Sequence, residues 1–147
     1  MWRPLPIMLN DAQRFGRESE AAAARYLQRA GYRVMARNYR TRVGEIDLVA
    51  YDGSVLAFVE VKARRSDRFG APEAAVTTDK QRRLTKAALA YLASLEPPGG
   101  ARGRVGRVDP PTCRFDLVIV EQGAAGGPAS GRIELLKDIF SPDWDGL

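Results

Sequence analysis

A chain of 147 residues is long enough for one domain with a real core and too short for two. It contains one cysteine and no histidine, which excludes an internal disulfide, a Cys/His zinc site and a histidine-based catalytic triad, so any chemistry falls to carboxylates and lysines. The net charge of +5, carried mainly by arginine, points to a polyanionic partner. The planar guanidinium fork suits phosphate oxygens, so nucleic acid fits better than a membrane surface, with DNA expected over RNA.

No apolar run approaches the ~20 residues needed to span a bilayer, and the start MWRPLPIML lacks the apolar core of a signal peptide, so the expected location is the cytoplasm. Residues 1–10 read as a loose arm, residues 11–140 as the domain and residues 141–147 as a tail. The first helix is predicted from Asn10 or Asp11 to Ala30, stopping at Gly31. Phe15, Ala22, Ala23, Tyr26, Leu27 and Ala30 form its apolar stripe. Glu20 shares a face with Gly16, Ala23, Ala24 and Leu27 and so points inward, whereas Glu18 points to solvent. An inward Glu20 is either an acid of a site or half of an ion pair with a nearby arginine.

Tyr32 to Tyr39 alternates as a strand expected to pair with the one that follows. Arg40-Thr41-Arg42 makes the turn, read either as a phosphate neighbour or as an ordinary solvated turn. Gly44 to Arg64 then carries two runs rich in β-branched and aromatic residues, separated by the hairpin signal Asp52-Gly53. If those two residues are the loop, Tyr51 faces Ser54, Asp47 faces Phe58 and Glu45 faces Glu60. The period of two puts Glu45, Asp47, Glu60 and Lys62 on one face. A three-residue loop would move Glu60 to the other face.

Acids clustered across a sheet destabilise it unless a cation or a shared proton sits among them. A hard divalent ion such as Mg²⁺ takes oxygen ligands and would serve, with the Lys62 ammonium beside it. The plainer alternative is a half-exposed hairpin in which Lys62 pairs with Glu45 or Glu60. Ile46, Leu48, Val59 and Val61 are apolar on the opposite face, and Val49, Leu56 and Phe58 join the charged one, as in a strand covered on both sides.

Arg64 to Thr77 reads as a charged loop. Thr78-Asp79-Lys80-Gln81 has capping-box spacing and opens a second helix whose stripe is Leu84, Ala88, Tyr91, Leu92 and Leu95, with Arg82, Arg83 and Lys86 opposite. Residues 96–112 and 123–131 are rich in Gly and read as loops, Pro being frequent in the first of them. Cys113 to Glu121 is a buried strand, with Cys113 a small core residue, and Arg132 to Leu136 is a last strand. The order helix, three strands, helix, two strands predicts an α/β domain with a mixed central sheet flanked by helices.

Asp47 followed by Glu60-Val61-Lys62 resembles the D…(D/E)xK signature of the restriction-endonuclease-like nucleases. The ordered set Gly16, Glu20, Asn38, Gly44-Glu45-Ile46-Asp47, Phe58 to Lys62, Phe69-Gly70 and Arg114-Phe115-Asp116 is similar to the YraN-like family of small bacterial proteins. Asp138-Ile139-Phe140 departs from the Asn-Ala-Phe expected there. The resemblance implies a restriction-endonuclease-like fold and a Mg²⁺- or Mn²⁺-dependent endonuclease acting on DNA, branched or damaged DNA included. An adaptor that binds nucleic acid without turnover is the alternative, and a homodimer is compatible with either. By that resemblance Asp47, Glu60 and the Val61 carbonyl hold metal, Lys62 activates water, and Glu45 or Glu20 adds a further acid. Lys80 and Gln81 match substrate-contacting positions on the helix after ExK, although capping also explains Gln81. Arg40, Arg42, Arg64, Arg82, Arg83 and Lys86 complete the expected nucleic-acid contacts, and Asp116 is expected to support the fold.

Overall fold

Asn10 opens the first helix, α1 (Asp11–Arg29), with reciprocal bonds: its side chain accepts the Gln13 N–H at 2.8 Å, and its own N–H donates to the Gln13 side chain at 3.1 Å. The helix stops at Ala30, where Gly31 takes a φ of +94° that favours glycine. The computed structural model describes residues 8–65, 71–95, 111–123 and 131–144. After α1 come β1 (Arg33–Thr41), β2 (Gly44–Asp52), β3 (Val55–Arg64), a short 3₁₀ turn (Pro72–Ala75), α2 (Thr78–Ser94), β4 (Thr112–Glu121) and β5 (Ile133–Leu136). The expected arm, apart from Met8 to Asn10, and most of the two Gly-rich loops lie outside the described residues.

The strands form one mixed sheet in the order β1-β2-β3-β4-β5, parallel between β3 and β4 and antiparallel elsewhere. A parallel pair needs a crossover, and α2 lies within the β3 to β4 connection. The helices cover opposite faces. Ala23, Ala24 and Leu27 of α1 pack on Leu48, Ala50, Ala57, Val59, Val118 and Val120. Leu84, Ala87, Ala88 and Tyr91 of α2 pack on Ile46, Val49, Leu56, Phe58, Phe115 and Leu117. The expected α/β class with helices on both sides of a mixed sheet is therefore present. Ala30 and Leu95, placed on the apolar stripes by periodicity, are exposed at the helix ends. Among the described residues no helix is long and apolar enough to cross a membrane.

Several local expectations are corrected. The β2–β3 loop is Gly53-Ser54, one residue further on than expected, with Asp52 paired to Val55, Tyr51 to Leu56 and Leu48 to Val59. Gly53 supplies the positive φ of +60° that a Gly-first hairpin loop uses. The cause lies outside the hairpin: the Asp52 carboxylate is held by Arg114 at 2.8 Å and Lys137 at 3.1 Å, which keeps it in the ladder. The β1–β2 turn is Arg42-Val43, with Arg40 and Thr41 inside β1. The Thr41 hydroxyl ties that turn by accepting the Val43 and Gly44 N–H groups and donating to the Gly44 carbonyl at 2.7 Å. Helix α2 is capped one residue early, by Thr77 accepting the Lys80 N–H, while the Gln81 amide donates to the Val76 carbonyl.

Asp116 supports the fold, as expected. Fully buried, it receives two bonds of 2.8 Å from the Arg114 guanidinium, one from the Tyr32 hydroxyl and one from the Asp138 N–H. Asp138 adopts a left-handed φ of 58°, the Ile139 N–H donates to the Phe115 carbonyl, and Phe140 stacks on Phe115 with centroids 4.5 Å apart. Trp144 lies against the same ring.

Candidate functional site

Two acids sit in the sheet where the β2–β3 ladder gives out. Continuing past Leu48↔Val59, Asp47 comes opposite Glu60 and Glu45 opposite Lys62, which replaces the expected Glu45 to Glu60 pairing. The Asp47 carboxylate fills the gap in the ladder by accepting the Val61 N–H at 2.8 Å. Alternation also breaks at this point. Ile46 packs on the α2 side and Leu48 on the α1 side, so the expectation that both share the face opposite the acids fails.

The strand beside it is distorted too. Asn38 stands between the pairs Arg37↔Leu48 and Tyr39↔Ile46, hence opposite Asp47, with φ of 52°. A left-handed residue with a side chain costs free energy inside a strand, Asn being among the most tolerant of them, and such strain gathers at functional sites. Sequence reading did not assign Asn38 a role. The available signal was a polar, αL-tolerant residue in the middle of an alternating run.

Asp47 and Glu60 are each only 7 % exposed, with the pair close enough for one carboxyl to bond the other. Burial, then the Asp47 charge, pushes Glu60 up to about 7, with Lys80 opposing the shift. Burial likewise raises Asp47, against the Val61 N–H that favours its charged form. Glu20 projects from α1 toward the same place. Burial and the Asp47 charge raise it, and a hydrogen bond from the Asn38 side chain works the other way. From the other face, Lys80 of α2 reaches Glu60 at 2.7 Å. Burial disfavours the Lys80 charge, but the adjacent Glu60 outweighs it and the net shift is upward.

The cation on Glu60 is thus Lys80, not Lys62. Lys62 is exposed at the site's rim and takes no ion pair among the described residues. Glu45 is exposed and meets Arg40 at 3.6 Å. Arg64 is not brought to the site: its side chain is 16 % exposed and its guanidinium bonds Glu121 at 3.1 Å. Arg82 and Lys86 are exposed on the outer side of α2, whereas Arg40, Arg42, Lys80 and Arg83 line one cavity with Glu45.

Among the described residues no three acid, cysteine or histidine side chains are close enough to hold an ion together. The pair itself fits a hard cation. Two desolvated carboxylates share one space, Lys80 and the Val61 N–H bond one oxygen of each, and the two acids bond each other, so the pair offers hard oxygen ligands of the kind such a cation takes.

The profile of uncharacterised protein family UPF0102 matches residues 19–120, a stretch that includes Glu20, Asn38, Asp47, Glu60 and Lys80. The chain belongs to the UPF0102 family. Its UPF0102 relatives include a protein of Desulfosudis oleivorans, 47% identical over 133 residues that cover 90% of this chain and 94% of that protein. One of Symbiobacterium thermophilum is 52% identical over 129 residues, covering 88% and 98%. A third, from Geobacter sulfurreducens, is 42% identical over 125 residues, covering 85% and 87%. The resemblance to YraN-like proteins is thereby established. In this UPF0102 chain the matched stretch ends at Val120, so the Asp138 to Phe140 segment that departs from the expected triplet lies beyond it.

Proposed function

We propose that this UPF0102 protein has a restriction-endonuclease-like fold and is a divalent-metal-dependent endonuclease acting on DNA. The observation that carries the proposal is the buried Asp47–Glu60 pair, placed where two strands part and flanked by Glu20 and basic residues. Bound Mg²⁺ or Mn²⁺ would supply Lewis acidity at the phosphate and a more acidic water. Asp47 and Glu60, with the Val61 carbonyl, would hold it. Lys62 lies two residues beyond Glu60 on the open rim, where its ammonium can orient a water and release a proton, and its neutral amine can accept one. Lys80 neutralises Glu60 when substrate and metal are away. Glu20, whose carboxyl is pushed up by burial and the Asp47 charge and which is tied to Asn38, is a further proton acceptor.

The Lys80–Glu60 ion pair favours a second reading, an adaptor that binds nucleic acid without turnover, because a lysine already supplies the charge that metal would bring. Purified protein incubated with linear, nicked, flapped and four-way DNA in Mg²⁺, Mn²⁺ or chelator separates the two. The nuclease reading expects chelator-sensitive cleavage that Lys62→Met reduces by about 10²-fold with DNA affinity nearly kept. Cleavage unchanged in that variant refutes the assigned role of Lys62, and absence of metal-dependent cleavage on every substrate leaves the adaptor.

A further inference from the structure

Between the β1–β2 turn and the first turns of α2 lies a cavity of about 630 Å³. Arg40 from the end of β1, Arg42 from the turn and Arg83 from the helix bring three positive charges to it, against the acid Glu45, while the charge of Lys80 is taken up by Glu60. The excess of two exceeds what one phosphodiester, with one negative charge, would balance. It matches better a terminal phosphomonoester, which carries about two negative charges at neutral pH and three acceptor oxygens. Arginine forks are suited to binding those oxygens in pairs.

The shape of the cavity agrees. A Cβ added at Gly44 would come within 2.6 Å of the Arg83 carbonyl oxygen, so turn and helix are in backbone contact there and leave no passage between them. A strand entering the cavity cannot thread through at that point. Lys80 forms part of the wall and also touches Glu60, so one side chain separates an anion held here from the acid pair.

We infer that this cavity receives the phosphorylated end of a single DNA strand and so sets which linkage, counted from that end, lies over Asp47 and Glu60. The inference rests on the nuclease reading for its choice of substrate. It is tested in chelator by binding alone, with one short single strand carrying a 5′-phosphate, a 3′-phosphate or only hydroxyl ends. One phosphorylated strand should bind about tenfold or more tightly than the hydroxyl-ended one, the scale of new charge-assisted bonds. The preference should vanish in Arg42→Ala/Arg83→Ala, in which all three strands bind with the same, reduced affinity. Both arginines are exposed, and a melting curve checks the variant, with Arg42→Glu alone giving the same comparison.

Equal affinity for all three strands overturns the inference, as does a preference that survives in the variants. Inorganic phosphate that competes as effectively as the unlabelled phosphorylated strand would identify a free-phosphate site and also overturn it. End-selective binding without metal-dependent cleavage keeps this inference and removes the nuclease reading. Cleavage indifferent to end phosphates does the reverse.

Discussion

Glu60 sets the pH behaviour expected of the site. Its folded value of about 7 stands above the unfolded carboxyl value of 4.5, so between those limits the native state binds more protons than the unfolded chain. Stability attributable to this group is complete below the unfolded value and is lost as pH rises through the folded one. Glu60→Gln should therefore be as stable as wild type at pH 4 and more stable at pH 8, by about 1–3 kcal/mol, in urea titrations at the two pH values. A difference independent of pH would mean the acid is not desolvated as described. Both Asp47→Asn and Glu60→Gln should lose Mn²⁺ affinity in calorimetry without unfolding, since the amide oxygen introduced by Asp47→Asn can still accept the Val61 N–H. Equal Mn²⁺ affinity in all three proteins rules out the metal assignment.

These residues were readable because parity is robust. Moving the loop from Asp52-Gly53 to Gly53-Ser54 changes each cross-strand partner by two positions, which keeps Asp47 and Glu60 together while replacing Glu45 by Asp47 opposite Glu60. The role of Lys80 was hidden, because a helix must first be laid on the sheet before its lysine can be assigned to an acid 20 residues earlier in the chain.

Among the elements, the β1–β2 hairpin and α2 behave as one unit because Gly44 rests on the Arg83 backbone. Gly44→Ala must push the turn from the helix, lowering stability by about 1–3 kcal/mol and deforming the cavity, as thermal melting would register. An unchanged melting temperature would mean that the contact yields at no cost. Strand β4 carries a second such dependence. Replacing Arg114 by Met leaves Asp116 fully buried without its cation, and a loss of about 3–5 kcal/mol is expected in urea unfolding. The helices and most of their inward faces followed from period, with the α2 cap displaced by one residue and Ala30 and Leu95 exposed at the ends. The break in alternation at Asp47, the left-handed Asn38 and the Asp52 anchor did not, because each depends on a partner far away in the chain.

For the whole molecule, the class, the mixed sheet and the helix on either side were legible in the order of elements. The fixing of residues 138–144 was not, since it depends on Phe115 and Asp116 of another strand. Long-range charge acts at this scale too. Replacing Arg82, Arg83 and Lys86 by Ala should weaken DNA binding and flatten the plot of log affinity against log salt, because fewer counterions are released. An unchanged slope removes this helix face from the interface.

Among the described residues strand β1 is paired on one side only, and its outer border would offer a neighbouring molecule a row of backbone donors and acceptors. That border is interrupted twice, by the register shift between Val34 and Ala36 and by left-handed Asn38, and it carries Arg33, Arg37 and Arg40. A second copy laid alongside would meet a bent, like-charged rail instead of a straight ladder. The distortion beside the acids thus also guards against sheet-to-sheet polymerisation, and repairing it with a β-branched residue at position 38 would trade one hazard for another.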